Sequence, residues 1–331
     1  MTRFQRLALA TAVATYLLVV IGGTVRVTNS GLSCPDWPTC HGRLVPTTDG
    51  HVLIEYFHRL FASLVSVLIL ATAAVAWRWH RRDRAVVTLA SAAIGVLIVQ
   101  IVLGGATVTQ KLSPEIVTAH LGTAMLLLAT VTLTAATALA RGRPFARPGS
   151  VPLRQAHAFR SAAVAAAAGM YVLLLSGGYM ASSGAGTSCS GWPLCNDQVI
   201  PAGTRFVHIH FFHRFVVALV TVAFALLVWA AMRWLRGNPT AQRMVRDSFG
   251  LFVVQIFIGA LNVWTKLVTP IRVLHLAVGA ALWTALVLIA WTGFALARRD
   301  EAVTAEGRAA EPAGGQGVRT PRPGRSQEAA G

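Results

Sequence analysis

Residues 22–40 read GGTVRVTNSGLSCPDWPTC, and residues 177–195 read GGYMASSGAGTSCSGWPLC. Both segments open on paired glycines, and both carry Cys-x2-Trp-Pro-x-Cys at the same distance behind them. The offset of 155 positions holds outward in both directions. Tyr16, Pro46, His58, Arg59, Gln100, Gly104, Lys111 and His120 recur as Tyr171, Pro201, His213, Arg214, Gln255, Gly259, Lys266 and His275. A register kept without a gap over more than 100 residues marks an internal duplication.

The content of each half decides the fold class. Of 331 residues, 55% are hydrophobic and 12% charged, against about 25% charged in a typical soluble domain. Eight apolar runs fall at about 7–27, 54–77, 85–109, 115–140, 160–181, 207–232, 247–268 and 271–297. Each is long enough for the roughly 20 residues with which an α-helix crosses the hydrocarbon core. The first run follows Arg3 and Arg6 as in a signal peptide, but no small-residue cleavage site follows it and a similar run recurs at 171–178, so it reads as a helix. The expectation is an all-α integral membrane protein, with eight transmembrane helices forming two four-helix bundles over 1–140 and 160–297. A basic linker over 141–159 joins them, and a polar, Gly/Pro-rich disordered tail is expected over 298–331. With an even number of helices per half, the repeats are parallel and related by a pseudo-twofold axis along the membrane normal.

A net charge of +17 raises the question of nucleic acid. The basic residues, however, sit in short clusters between apolar runs. Twenty-one of the 29 lie in the segments around Arg3, Arg78–Arg84, Arg141–Arg160, Arg233–Arg246 and Arg298–Arg325. The positive-inside rule places those segments and both termini in the cytoplasm of a multi-pass plasma-membrane protein. The charge is topological, the partner is the lipid bilayer, and no nucleic acid is expected.

His58, His120, His213 and His275 occupy equivalent places near the outer ends of the second, fourth, sixth and eighth helices. Any one of them alone reads as a rim histidine bonded to backbone or headgroups. Two equivalent pairs of ionisable residues in membrane helices are harder to explain that way. Facing imidazoles from two helices can hold a haem iron through both axial positions. Zinc or copper fits less well, because no third or fourth ligand repeats beside each pair. All four lie at one depth, whereas a cytochrome carrying electrons across the bilayer would stack its haems at two. One haem held as a fixed cofactor beside another bound as substrate suits this placement.

Cys34 pairs with Cys40, and Cys189 with Cys195, in loops expected outside the cytoplasm, where disulfides persist. Each pair reads as a small stapled loop over the mouth of its half, with a redox-active dithiol as the alternative. Glu55 precedes His58 by three residues, on the same face of a helical turn. Its repeat mate is His210, so it is the one carboxylate beside any of the four histidines. It either pairs with Arg59 at the interface or serves chemistry at the first site, by relaying protons or positioning a substrate group. Arg59 and Arg214 suit haem propionates or snorkel to headgroups. The glycines at 22–23, 104–105, 177–178 and 259 allow close approach between helices or against a macrocycle. His41, His51, His80, His157 and His208 have no repeat mates and read as surface residues.

The stretch GGTVRVTNSGLSCPDWPTCHGRLVP followed by EYFHR, with SCSGWPLC, FFHR, His120 and His275 in support, resembles the heme A synthase family over roughly 7–297. The resemblance implies an oxidoreductase that converts the C8 methyl group of haem O to the formyl group of haem A, for haem-copper terminal oxidases. It implies haem B as cofactor on His213 and His275, and haem O as substrate on His58 and His120. Glu55 matches the family's functionally important acid. Implied partners are the farnesyltransferase that produces haem O, haem-copper oxidase assembly and an electron donor that the sequence does not reveal. The rival readings are a di-haem electron-transfer cytochrome and a haem-handling or export protein; Glu55 without a mate favours the enzyme.

Overall fold

The computed structural model of the chain describes residues 1–43, 49–141 and 151–310, with side chains through Ala297. Eight α-helices account for most of them: α1 (Arg3–Val27), α2 (Gly50–Trp79), α3 (Arg84–Thr109), α4 (Pro114–Ala140), α5 (Leu153–Ser182), α6 (Arg205–Trp234), α7 (Pro239–Trp264) and α8 (Thr269–Ala310). All eight are long and apolar enough to cross a membrane. The eight-helix, all-α membrane architecture expected from the sequence is therefore found.

Side-chain caps fix the starts of α1, α2, α3, α4 and α7. Thr2 and Gln5 make a capping box, Asp49 accepts from the N–H groups of His51 and Val52, and Asp83 accepts from that of Val86. Ser113 and Asn238 cap α4 and α7, each followed by proline at the first helical position, where its missing N–H costs nothing. Several helices begin before their apolar runs; α5 starts at Leu153 and α7 at Pro239. Apolar length marks only the hydrocarbon-spanning part, and a capped polar turn extends the helix into the headgroup region. For the same reason α8 continues past Ala297 to Ala310, through a stretch of good helix formers where a disordered tail was expected. Residues 142–150 of the linker, residues 311–331 of the tail and Pro46 lie outside the described residues.

Helices α1–α4 pack as one bundle and α5–α8 as another, and α1, α4, α5 and α8 form the seam between them. The seam contacts are reciprocal. A Cβ on Gly23 of α1 would fall 1.9 Å from Leu276 Cδ2 of α8, and one on Gly178 of α5 would fall 2.6 Å from Leu121 Cδ2 of α4. Gly23 and Gly178 are repeat mates, as are Leu121 and Leu276, so each half presents to the other the surface it receives. That pattern is consistent with a pseudo-twofold relation. Glycine is needed at both places because the facing leucine fills the space of a side chain. Tyr16 Oη donates to the Ala277 carbonyl across the seam at 3.0 Å, and Trp283 Nε1 donates to the Met125 carbonyl at 2.8 Å. Alanines fill the interior at Ala8, Ala73, Ala76, Ala163, Ala166 and Ala231, while Leu, Val and Phe crowd the outer surfaces. This is the distribution expected where lipid, not water, surrounds the bundle.

Candidate functional site

The four histidines lie at one level. His58 and His213 are each eight residues into α2 and α6, and His120 and His275 each six into α4 and α8. At 1.5 Å per residue this places them about 12 and 9 Å inside the helix starts, at the end of the molecule that carries the cysteine loops. His58 and His120 are electrostatic neighbours, as are His213 and His275. Each bundle therefore brings its predicted pair together, and no described contact mixes the pairs.

A glycine of the preceding helix makes room for each ring. A Cβ on Gly22 or Gly177 would sit 3.0 Å from Cε1 of His58 or His213, and one on Gly104 or Gly259 would sit 3.3 Å from Cε1 of His120 or His275. The sequence predicts close approach between helices or against a macrocycle at these glycines; among the described residues the side chain they face is the imidazole. Among the described residues Nδ1 of His58, His120 and His275 has no hydrogen-bond partner and is buried, while His213 Nδ1 lies 2.9 Å from Ser176 Oγ. Gln100 Nε2 lies 3.2 Å from His120 Nε2, whereas its repeat mate Gln255 donates to the His275 carbonyl at 2.7 Å. Both glutamines were visible in the repeat. Ser176 was not, since its mate is Ile21. Ser176 also lines an open groove of about 920 Å³ with Val172, Leu175, Tyr179 and Arg205.

The donor set fits haem. Among the described residues no cluster of three or more His, Cys, Asp or Glu could hold a bare metal ion. A haem brings four nitrogens of its own and asks the protein for two axial ligands, which each facing pair can supply. The four glycines leave the imidazole edges uncrowded.

Both disulfides are formed, Cys34–Cys40 and Cys189–Cys195, with Cα–Cα separations of 4.7 and 4.8 Å. The first loop is clamped to α2. Glu55 is buried at 3% exposure; its Oε2 accepts from the Cys34 N–H at 2.8 Å and its Oε1 from Arg59 at 2.6 Å. Arg59 also donates to the carbonyls of Asp36, Thr39 and Cys34 at 2.8, 2.7 and 3.1 Å. Of the readings left open, pairing with Arg59 is what the geometry displays. Arg59, expected to meet haem propionates or headgroups, is engaged here by Glu55 and the loop carbonyls. The loop in turn reaches the first histidine site: the Trp37 ring packs against Gly105, 3.4 Å from where its Cβ would be, beside the Gly104 that faces His120.

The second loop is held differently. Arg214 donates to the Pro193 and Leu194 carbonyls at 3.3 and 2.8 Å, and its Nη2 is buried without a hydrogen-bond partner. His210, standing where the first half has Glu55, is buried with Nδ1 3.1 Å from the Ala185 carbonyl. Asn196 braces the loop from within, accepting from the Ser190 N–H at 2.9 Å and donating to the Ser188 carbonyl at 3.2 Å.

In the first loop that internal brace is Asp36, which accepts from the Thr39 hydroxyl and from the N–H groups of His41 and Gly42. The Thr39 hydroxyl and then the Gly42 N–H hold its carboxyl well below the usual carboxylate range. A native pKa below the unfolded value, about 4, stabilises the loop above that pH, and the contribution is lost as pH falls through the native value. The rate at which a phosphine reduces Cys34–Cys40, relative to Cys189–Cys195, is therefore expected to stay flat between about pH 8 and 5 and to rise only in stronger acid. Asp36→Asn should raise the ratio throughout. A ratio that already climbs near pH 6 would assign control of the loop to another group.

Fold and site together define a polytopic helical membrane protein with two facing histidine pairs at one level, one of them under a clamped disulfide loop. The chain belongs to the cytochrome oxidase assembly protein family, whose model matches residues 5–53 and 49–287. Among its relatives, the heme A synthase of Alkalihalophilus pseudofirmus is 29% identical over 287 residues, 86% of this chain and 95% of that one. That of Symbiobacterium thermophilum is 28% identical over 308 residues, 92% and 100% of the two chains. That of Halalkalibacterium halodurans is 30% identical over 227 residues, 68% and 75%.

Proposed function

We propose that this chain is a membrane oxidoreductase that makes haem A for haem-copper oxidases by oxidising the C8 methyl group of haem O to a formyl group. The observation that carries the reading is the pair of equivalent histidine sites that differ in their surroundings, in a chain whose relatives are named heme A synthase. His213 and His275 hold haem B as the resident cofactor, with Ser176 fixing the His213 ring. His58 and His120 receive haem O, supplied by the farnesyltransferase that makes it. When bound, the resident haem supplies one-electron redox chemistry within the membrane.

The protein's own part is orientation and exclusion of water. The glycines at 22, 104, 177 and 259 let the rings face inward without strain. Glu55 and Arg59 hold the Cys34–Cys40 loop down on α2, so that Trp37 closes the α3 side of the first site. Glu55 acts here as a positioning residue, through the loop. Arg214, with one nitrogen unpartnered, keeps a donor for a propionate of the second site. A cytochrome with two permanent haems would have no use for two loops held differently, one by a buried Glu55–Arg59 pair and the other by Arg214 without a carboxylate.

Co-expression with a source of haem O, followed by haem extraction and mass analysis, tests the proposal. Haem A together with retained haem B is expected. Haem B in both sites at equal occupancy, with no haem A formed, would make the protein an electron-transfer cytochrome.

The distribution of basic residues supports cytoplasmic termini and cysteine loops on the opposite side. Impermeant thiol reagents applied to intact cells should label none of the four cysteines until a reductant is added, and all four afterwards. Free labelling of Cys34 and Cys40 without reductant would show that the first loop rests as a dithiol.

A further inference from the structure

Among the described residues, two arginines at the seam between the halves have no carboxylate counter-ion. Arg26 lies near the end of α1, one turn beyond the Gly22 that faces His58. Arg272 lies in the first turn of α8, three residues before His275 and on its face of the helix. Neither belongs to the repeat, since their mates are Ala181 and Val117. Both are half-buried, and the charge of Arg26 acts on Arg272. Among the described residues Arg26 reaches the carbonyls of Ala181 and Ser182, at 3.4 and 3.5 Å, and its Nε is buried without a hydrogen-bond partner there. Arg272 reaches the Val27 carbonyl, at 3.3 Å, and no other hydrogen-bond acceptor among the described residues.

Those carbonyls are the last of α5 and α1 and carry roughly half a negative charge per helix end. Two full positive charges face them over long hydrogen bonds. Among the described residues no carboxylate pairs with either guanidinium; the ion pairs found are Glu55–Arg59, Asp83–Arg141 and Asp247–Arg246. Burying two like charges side by side is unfavourable unless an anion joins them. Guanidinium matches the planar oxygens of a carboxylate in particular.

We propose that Arg26 and Arg272 form a carboxylate seat between the two histidine sites, which holds the propionate end of a tetrapyrrole ligated there. This rests on the haem reading above. One guanidinium stands a turn from His275 and the other a turn from the glycine wall of His58, so a single seat serves the rims of both sites. A lipid phosphate shares the oxyanion chemistry, but nothing about it would require a place one turn from an axial ligand.

Full-length protein, stripped of haem in detergent, is titrated with ferric haem b and with its dimethyl ester, whose propionates are capped, while the Soret band is followed. Wild type should bind the free acid about tenfold or more tighter than the ester. Arg26→Gln and Arg272→Gln should each lose most of that preference, through weaker acid binding with ester binding unchanged. Arg205→Gln, which alters an exposed guanidinium bonded to Tyr179, should keep it. Where a Gln variant does not fold, the Lys variant gives the same readout: an ammonium lacks the fork and should retain only part of the preference. Equal binding of acid and ester by wild type overturns the proposal, as does a preference undiminished in the variants. It is likewise overturned if wild type shows no preference but gains thermal stability in phosphatidylglycerol over phosphatidylcholine nanodiscs, and the double Gln variant does not. Wild type that binds neither form of haem overturns the haem reading itself, and the seat with it.

Discussion

Substituting either member of the second histidine pair, His213→Ala or His275→Ala, is expected to deplete the resident haem B, whereas His58→Ala or His120→Ala should spare it and stop haem A formation. The two bundles hold their histidines separately, each ring against a glycine of its own bundle, so loss at one site should not empty the other. Removing even an outer-shell partner of a metal ligand typically costs 10–100-fold in affinity, and losing the ligand itself should cost at least about as much. Total haem by the pyridine haemochrome, with haem types separated by chromatography, reads both effects. If the first-pair variants were the ones to lose resident haem, the assignment of cofactor and substrate sites would be reversed.

Glu55→Gln should lower haem A formed per haem bound by about 10²-fold, the scale on which small misplacements near a reacting centre act. Haem B in the second site should stay intact. The amide oxygen can still accept from the Cys34 N–H, but the charge that holds Arg59 is gone. In the same variant the phosphine should reduce Cys34–Cys40 faster, with Cys189–Cys195 unchanged as an internal control. The two readouts separate the possible roles. A fall in activity with loop protection unaltered would put the carboxylate into the chemistry itself, and unaltered activity would remove Glu55 from the mechanism.

Much of this molecule is legible in the chain because lipid is an undemanding neighbour. Every surface turned to it must be apolar over a fixed length, so the eight helices are visible without knowing how they pack. The duplication then separates meaningful polar residues from incidental ones: His58, His120, His213 and His275 stand out because each survives in both copies. The same filter hides whatever is used once. Ser176 opposite Ile21, Arg26 opposite Ala181 and Arg272 opposite Val117 carry no repeat signal, and their roles depend on contacts between helices far apart in sequence. Arg59 shows a different limit. Its place beside His58 suggests a partner for haem propionates or headgroups, but the loop carbonyls that engage it are set by a turn conformation that periodicity does not encode. Helix ends were blurred for a related reason, since Asn238 and Pro239 start α7 among polar residues that a hydropathy window passes over.

The reciprocal contact of Gly23 with Leu276 and of Gly178 with Leu121 has a bearing on how such a molecule can diversify. An interface in which each half offers what it accepts is the kind that two identical subunits make around a twofold axis. In a true homodimer every substitution is made twice, so an arginine gained on one rim is gained on the other, and an acid lost from one loop is lost from both. Carried on one chain, the ancestral partners are free to specialise. On the proposed function one half holds a permanent cofactor and the other is a workplace, at the cost of a linker and without disturbing the surface that joins them.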